Sequence, residues 1–517
     1  MDGSGSGKSS SYSIPNATQL LGSYVFTDPK GELYDATAGF MKKNGYEIKV
    51  LNLVRPQYSD GYNPLMHVNS ELDVDVIANT IVKGQKVEGS SADPYWDDMA
   101  EMLLKSLIYY LIATRPEEEQ NLTSCAELVR AANSNGGGNL LSELMSRLPY
   151  DHPARMNYKS IEIAPEKTYG SILSTLQSKL GKFDTKEIAE LTSTNTFDFT
   201  EIGRKKTAVY VISPDTHTAY DFLLTIFFAQ MIQQLYDFAD LSPKGKLPVP
   251  TYFILDEFAN IGKIPDFDKK ISTSRSRKIS FSVILQNLDQ LEGIYEKSYE
   301  TIIGNCDTHL FLGSNSQKTV EYFSKALGEK TISRDNITIN KDNQGAKQGK
   351  SLSDQIMARA LLTPDELRRF DNDYCIIYEK GLKPVKAKKF WYYKKPAIVN
   401  KLNSYTMNHN DIGEIERGEW RKYNPYNPWK PEDENKDKQE EKKEEKKEEK
   451  PENDFDKILK PDLPPMPDIT DAPVLPQDES KNDPVADKKA QEAFDLQKEL
   501  EAKFDELFGP LEDNNEN

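Results

Sequence analysis

The stretch Thr251–Gly262, which reads TYFILDEFANIG, decides the fold of this chain. Its first five residues are aromatic or branched, as in strands that are buried on both faces. Asp256 and Glu257 follow directly, and two adjacent carboxylates cannot stay ionised inside a strand because burying an unpaired charge is costly. We therefore expect the pair at the carboxyl end of the strand, where open parallel sheets bind ligands. The alternative is a strand that leads into an acidic helix cap.

A second motif stands at the start of the chain, where Met1–Ser10 reads MDGSGSGKSS. Glycines followed by Lys and Ser are typical of a phosphate-binding loop, in which backbone N–H groups surround phosphate oxygens, Lys8 reaches the β- and γ-phosphates and Ser9 is a ligand of Mg²⁺. Asp256 can then hold the metal through its water shell, and Glu257 can polarise an attacking water. The predicted nucleotide-binding residues are Gly3, Ser4, Gly5, Ser6, Gly7, Lys8, Ser9 and Ser10. The alternative is a flexible Gly/Ser linker.

The charge of the chain is unevenly distributed. Residues 401–517 hold 19 Lys and Arg against 33 Asp and Glu, a net charge of −14, which leaves −3 of the total of −17 for residues 1–400. A nearly neutral body neither requires nor excludes nucleic acid, because a local basic stripe can bind phosphates.

The positions of the cysteines, histidines and apolar runs argue against a disulfide framework, a zinc site and a membrane span. The three cysteines and five histidines are scattered without disulfide or metal-ligand spacing, which indicates a reducing compartment. The best apolar runs, Met99–Ala113 and Phe222–Met231, are short for a membrane span, and we find no secretory signal, so the chain as given is expected to be soluble.

Strand and helix patterns alternate along the chain and predict an α/β fold with a mainly parallel central sheet. Besides Thr251–Leu255, strands are predicted at Ser23–Thr27, Tyr46–Leu53, Thr207–Ser213, Ile279–Leu285, Thr308–Gly313, Tyr374–Glu379 and Pro384–Tyr393. Lys30 and Glu32 follow the first strand, where they face a nucleotide or a neighbouring subunit, or form a surface turn.

Helical periodicity dominates residues 93–190, which we interpret as an all-α insertion that contacts a partner or only enlarges the fold. The predicted domains are a nucleotide-binding domain in two parts, 1–92 and 191–400, the all-α insertion, and an acidic low-complexity tail, 401–517. Within the tail, Asp487–Phe508 has apolar residues on one helical face, which predicts docking on a partner, or a transient helix without one.

Two further features are candidates for catalysis. Gln286 ends the strand after the carboxylate pair, where it can hydrogen-bond the γ-phosphate or the attacking water, or serve only as a capping amide. The basic segment Lys269–Lys278 offers Arg275 or Arg277 as an arginine finger acting on the next subunit, or DNA-phosphate contacts, or merely a solvated helix face.

Together these motifs carry a family resemblance. GSGSGKS, VFTDPKGELY, YNPL, DPYW, ILDEFANIGKIP, SVILQNLDQL and TPDEL occur in an order that resembles the coupling-protein ATPases of conjugative type IV secretion systems, which belong with the FtsK–HerA class of hexameric DNA pumps. The likeness covers about residues 1–395, and the spacing is closest to coupling proteins of Gram-positive conjugative elements.

The resemblance implies a RecA-like motor in a ring of six subunits, with the all-α domain facing the cytoplasm at the cell membrane. It implies that Lys8 and Ser9 bind Mg–ATP, that Asp256 holds the metal indirectly, that Glu257 is the base, and that Gln286 senses the phosphate. It further implies that the pump receives the relaxase-bound single strand and passes it to the membrane channel.

The sequence departs from this family in three respects. It lacks the pair of N-terminal membrane helices and the strand before the phosphate loop, and Asp2 stands in place of a glycine. A fragment that begins at the phosphate loop of a longer, membrane-anchored protein accounts for all three. Two alternative functions stay open: a non-hydrolysing receptor or adaptor of the same machinery, and a secretion ATPase that moves protein.

Overall fold

The computed structural model describes residues 7–84, 93–134, 139–214, 220–340, 349–409, 413 and 415–426. The chain divides into two units, Met1–Pro461 and Asp462–Asn517, and every described residue belongs to the first. The amphipathic helix predicted at Asp487–Phe508 lies outside the described residues.

The centre of the fold is a parallel sheet of five strands in the order β2–β3–β1–β4–β5. These strands are β1 Ser23–Thr27, β2 Glu47–Asn52, β3 Thr207–Ile212, β4 Thr251–Leu255 and β5 Ile279–Val283. Every residue of β1 and β3 is buried, because helices cover both faces of a parallel sheet. The predicted α/β class with a parallel central sheet is confirmed.

The carboxyl ends of three neighbouring strands are level. Thr27, which ends β1, pairs with Leu255, which ends β4, and Leu255 pairs with Val283, which ends β5. The residues that follow these strands therefore meet at one edge of the sheet. The strand predicted at Ile279–Leu285 is two residues too long, because its partner strand ends at Leu255.

The described helices flank the sheet and fill the long connection between β2 and β3. They are α1 Ile14–Ala17, α2 Glu32–Lys43, α3 Glu71–Lys83, α4 Pro94–Thr114, α5 Leu122–Ser134, α6 Leu140–Ser146, α7 Pro153–Glu162, α8 Glu166–Leu180, α9 Lys186–Ser193, α10 Phe199–Arg204, α11 Asp221–Leu241, α12 Phe267–Thr273, α13 Leu288–Tyr295, α14 Tyr299–Gly304, α15 Gln317–Leu327, α16 Pro364–Arg368 and α17 Pro396–Leu402.

One face of the sheet packs against α1, α2 and α17. Tyr24, Phe26 and Tyr210 of the sheet meet Leu33 and Met41 of α2 in a single buried cluster. On the connection between β2 and β3, the described residues form helices and no strand, with α4 packed against α3, α5, α7 and α8. The helix α4 is buried along most of its length after Asp98, as expected for the centre of a helical block, which is formed by α3–α9.

A second, smaller sheet follows the central one. Its strands β6 Thr308–Phe311, β9 Tyr374–Glu379 and β10 Val385–Lys388 are antiparallel in the order β10–β9–β6. The strand predicted at Pro384–Tyr393 is too long, because Lys388 already pairs with Tyr374, the first residue of β9. Residues Tyr392–Lys394 form a 3₁₀ turn instead.

Two features of the fold escaped the sequence analysis. A long antiparallel hairpin joins β7 Glu329–Asn340 to β8 Gly349–Ala360. Residues after α17 also stay packed on the body: Arg421 pairs with Glu119 of the helical block, and the Tyr423 N–H donates to Ser124. These contacts extend the packed body to Tyr426, past the predicted tail boundary at residue 401.

Candidate functional site

A cavity of about 520 Å³ opens at the carboxyl edge of the central sheet. Its volume lies within the range of small-molecule sites. Three groups of residues line it: the start of the chain, the turn after β1, and the ends of β4 and β5; the second sheet and its 3₁₀ turn close the remaining side. The lining residues are Gly7, Lys8, Ser9, Ser10, Asp28, Pro29, Lys30, Glu32, Leu33, Asp256, Glu257, Gln286, Asn372, Asp373, Trp391 and Tyr393.

The carboxylate pair stands immediately after β4, where the sequence places it. The backbone carbonyl of Asp256 accepts a hydrogen bond from Thr27 Oγ1 at 2.7 Å, which fixes the turn to β1. Glu257 has φ 49° and ψ 48°, a left-handed conformation that costs a non-glycine residue about 1–2 kcal/mol. The fold maintains that strain at a cavity wall, as functional sites commonly do.

Lys8 reaches both carboxylates from the start of the chain. Its Nζ lies 3.4 Å from Asp256 Oδ1 and 3.8 Å from Glu257 Oε1, and Ser9 Oγ lies 3.5 Å from Asp256 Oδ2. The turn that carries them is held in place, because Tyr12 hydrogen-bonds Ser282 of β5 at 2.8 Å. Residues that are about 250 positions apart in the chain are thus brought together.

Gln286 lies at the same edge as the carboxylates. Its Nε2 donates to Glu257 Oε1 at 3.1 Å. The segment is positioned by two backbone hydrogen bonds: Ile284 N donates to Leu255 O, and Phe258 N donates to Ile284 O. The structure therefore brings this amide to the site, while its role as a phosphate sensor stays a prediction.

The electrostatics of the site favour an added cation. Burial raises the pKa of Asp256 above its usual value; Lys8 opposes this change, and the neighbouring Glu257 carboxylate adds to it. Among the described residues, the cationic neighbour of this buried carboxylate is Lys8 at 3.4 Å, so its charge is incompletely compensated. Carboxylate and hydroxyl oxygens are the donors that Mg²⁺ prefers, so Asp256 and Ser9 fit that ion.

Phosphate and water complete the shell of a typical protein-bound Mg²⁺, so a cage of protein ligands is not required. In agreement, no cluster of three or more His, Cys, Asp and Glu side chains suited to a metal occurs in the described part of the chain. The residues present fit a magnesium ion that arrives with a nucleotide.

A third carboxylate, Asp28, lies on the rim of the cavity. It accepts the backbone N–H of Tyr34 at 2.8 Å and so caps the start of α2. Burial raises its pKa to about 6, and the backbone hydrogen bonds oppose that change only in part. Lys30 and Glu32 also line the cavity, on the rim where the sequence places them.

Not every predicted site residue is found at the cavity. Gly3, Ser4, Gly5 and Ser6 lie outside the described residues. The Arg275 side chain is 93% exposed, 3.9 Å from Asp307, and does not line the cavity, so a role on a neighbouring subunit stays a prediction. Arg277 forms an ion pair with Asp240 at 2.8 Å.

Sequence reasoning missed the wall formed by Asn372, Asp373, Trp391 and Tyr393. The aromatic run FWYY at 390–393 lies directly before two lysines and a proline, at the end of the predicted strand Pro384–Tyr393. A strand that ends in consecutive bulky aromatics needs a surface to cover, and that surface is the phosphate loop. This was the signal available in the sequence.

The comparisons with known proteins identify the family. Residues 1–414 match the family of type IV secretory system conjugative DNA transfer proteins, and the chain belongs to it. It is 26% identical over 429 residues to the conjugal transfer protein TraG of Escherichia coli, covering 76% of this chain and 66% of TraG. It is 25% identical over 411 residues to VirD4 of Rhizobium radiobacter, covering 76% of this chain and 56% of VirD4.

Solved structures show the same fold. The unbound conjugative coupling protein TrwB superimposes with a TM-score of 0.51 at 15% identity, covering 75% of this chain and 83% of that one. TrwB with ADP and Mg²⁺ gives 0.51 at 16% identity, covering 75% and 84%. The chain thus spans 56–66% of the length of the two curated relatives above. The resemblance to conjugative coupling proteins is confirmed, and the closeness to Gram-positive elements stays a prediction.

None of the described helices combines the length and the apolar character that crossing a bilayer demands.

Proposed function

We propose that this chain is the ATPase of a conjugative coupling protein, which uses ATP hydrolysis to drive relaxase-bound single-stranded DNA into the type IV secretion channel. The observation that carries the proposal is the convergence of Lys8, the Asp256–Glu257 pair and Gln286 on one cavity. Membership in the DNA-transfer family supports the DNA substrate. TrwB, which shares the fold, binds ADP and Mg²⁺, which supports ATP and Mg²⁺ as the cofactors here.

Each residue has a defined task in this proposal. Lys8 and the backbone N–H groups of Gly7–Ser10 bind the β- and γ-phosphates, and Ser9 and Asp256 would hold Mg²⁺. That ion would neutralise charge on the phosphates during transfer. The Glu257 carboxylate accepts a proton from the water that attacks the γ-phosphorus, and ADP leaves. Gln286, hydrogen-bonded to Glu257, orients that water or the γ-phosphate.

The proposal extends to the assembly. Residues 1–92 and 191–400 form the motor and residues 93–190 the domain that meets partners, in a homohexamer on the cytoplasmic face of the membrane. Residues 401–517 form the tail, whose first part, up to Tyr426, packs on the body. An arginine finger in trans must reach across a subunit boundary, and the exposure of Arg275 in its own subunit is consistent with that task.

Hydrolysis of Mg–ATP by the purified chain, with and without single-stranded DNA, tests the proposal. We expect Glu257→Gln and Lys8→Ala to lower the DNA-stimulated rate by at least about 100-fold. Glu143→Gln is the matched control, because Glu143 pairs with Arg147 on the helical block. Unchanged hydrolysis in Glu257→Gln contradicts the proposal. Binding of a protein substrate without any dependence on DNA would favour the protein-secreting alternative.

A further inference from the structure

Three consecutive aromatic residues, Trp391, Tyr392 and Tyr393, lie beside the cavity, and the first and third of them line it. Trp391 directly precedes the 3₁₀ turn Tyr392–Lys394 that follows the second sheet. Trp391 is buried, Tyr392 is half-buried and Tyr393 is exposed. The contacts of the first two rings therefore determine where the third one lies.

Trp391 attaches the turn to two parts of the site. Its Nε1 donates to Asp373 Oδ1 at 3.1 Å, in the turn before β9. Its ring lies directly over the phosphate loop: a Cβ added to Gly7, where φ is +84°, would be 2.2 Å from Trp391 Cζ3. Only glycine allows this approach, so Trp391 and the loop are in close contact.

Tyr392 attaches the turn to the central sheet. Its ring packs against the buried cluster beneath α1 and α2, and so does the ring of Tyr12. Tyr12 in turn hydrogen-bonds Ser282 of β5. The 3₁₀ turn is therefore fixed to the phosphate loop by one ring and to the core by the next.

Tyr393 is held by these neighbours but keeps an exposed face. Its centroid lies 5.6 Å from that of Trp391 and 5.9 Å from that of Tyr392, the latter in a T-shaped arrangement. The residue is 52% exposed and lines the cavity. An oriented, solvent-facing ring beside a phosphate loop is suited to stacking with a flat heterocycle.

We propose that Tyr393 stacks on the base of the nucleoside triphosphate whose phosphates occupy the loop at Gly7–Ser10. This inference rests on the proposed function and adds to it the site of the base. Stacking depends on a π-face and little on base identity, so the wall accepts purine nucleotides generally. The loop thus binds the phosphates, and the aromatic turn binds the opposite end of the same molecule.

The test compares ligands with and without a base. Equilibrium binding of Mg–ATP, Mg–GTP and Mg–tripolyphosphate is measured for the full chain and for Tyr393→Ala and Tyr393→Phe. We expect Tyr393→Ala to weaken ATP and GTP about 10-fold and to leave tripolyphosphate unchanged, and Tyr393→Phe to restore nucleotide binding. Tyr150→Ala, which removes an exposed ring from the helical block, is the matched control and should change none of them.

Three results would overturn the inference in distinguishable ways. Tyr393→Ala binding ATP within twofold of the wild type shows that the base lies elsewhere. An equal loss for tripolyphosphate shows that the substitution acts on the loop and not on the base. A wild-type chain that binds neither ATP nor tripolyphosphate removes the proposed ATPase function as well.

Discussion

The cavity and the helical block each contain a buried carboxylate next to lysine, and the two are compensated differently. In the helical block, Glu101 accepts from Lys83 at 2.8 Å, from Lys105 at 2.9 Å and from Asn79 at 3.1 Å. In the cavity, Asp256 accepts from the Glu257 N–H at 2.9 Å, from Ser9 at 3.5 Å, and has Lys8 at 3.4 Å. The two side chains are about equally buried, with 11% and 9% of their surfaces exposed.

Their pKa values move in opposite directions. Burial opposes ionisation of Glu101, but hydrogen bonds and charges from Lys83 and Lys105 outweigh it, so its pKa is lowered. Burial prevails at Asp256, where the pKa is raised. Glu101 has two lysine partners, whereas Asp256 has one among the described residues, Lys8, at a longer distance, which leaves room for a cation from outside. At similar side-chain exposure, the comparison separates a carboxylate whose charge is compensated from one whose charge is compensated only in part.

The strongest test of this contrast uses Asp28, a cavity carboxylate with backbone donors. Its pKa is about 6 in the folded chain against 3.8 for the unfolded group, so ionisation on raising the pH from about 4 to about 6 costs the folded state. The corresponding loss of unfolding free energy is about 3 kcal/mol. Asp28→Asn has no carboxyl group to ionise at this position. We therefore expect its unfolding free energy, relative to the wild type, to increase as the pH is raised from about 4 to about 6.

Urea denaturation at several pH values measures this difference. A constant difference between Asp28→Asn and the wild type from about pH 4 to pH 7 would show that Asp28 titrates normally, and the contrast with Glu101 would be lost. Asn at this position keeps an acceptor for the Tyr34 N–H, so the cap of α2 survives the substitution.

The next test compares the two lysines. Lys105→Met leaves Glu101 with fewer donors, and we expect the unfolding free energy to fall by about 2 kcal/mol at pH 7. Because the pKa of Glu101 is lowered from 4.5, the loss should be largest above that pH and shrink as Glu101 is protonated in acid. Lys8→Met removes a longer, 3.4 Å contact from a carboxylate that also accepts the Glu257 N–H, and we expect a smaller loss, of about 1 kcal/mol.

Chemical denaturation together with ATP hydrolysis distinguishes the two variants. Lys105→Met should lose more stability and keep its rate per folded molecule, whereas Lys8→Met should lose less stability and lose its rate. If Lys8→Met and Lys105→Met lost equal amounts of stability, Lys8 would have a structural role like that of Lys105. That result would contradict the view that the main partner of Lys8 is a bound ligand.

Parts of this site were predictable because they are encoded locally. The strand Thr251–Leu255 ends before Asp256 because burying an unpaired carboxylate inside a strand is costly. The parallel sheet was predictable because its strands are apolar on both faces. Level strand ends then bring Gln286 beside Glu257. The sequence alone contains the physics needed for these steps.

Other parts were not predictable, because they depend on contacts between distant segments. Tyr393 becomes a cavity wall only when the turn that bears it is fixed to a phosphate loop more than 370 residues away. The hairpin Glu329–Ala360 has polar and branched residues in alternation without an apolar run, so no core-facing pattern marks its strands. The degree of compensation of Asp256 likewise depends on a distance that no local pattern fixes.

The smallest predicted effect concerns the strain at Glu257. Glycine adopts the left-handed conformation without cost but loses more backbone entropy on folding, so Glu257→Gly should stabilise the chain by about 0.5 kcal/mol. The control Ala259→Gly, in the following 3₁₀ turn Phe258–Ile261, should destabilise by about 1 kcal/mol. Urea midpoints measure both. The same Glu257→Gly chain should lose ATP hydrolysis, because the proposed base is gone. If Glu257→Gly were less stable than the wild type, the Glu257 side chain would contribute to stability, as the Glu101 side chain does. The left-handed backbone of Glu257 would then not distinguish the cavity from the helical block.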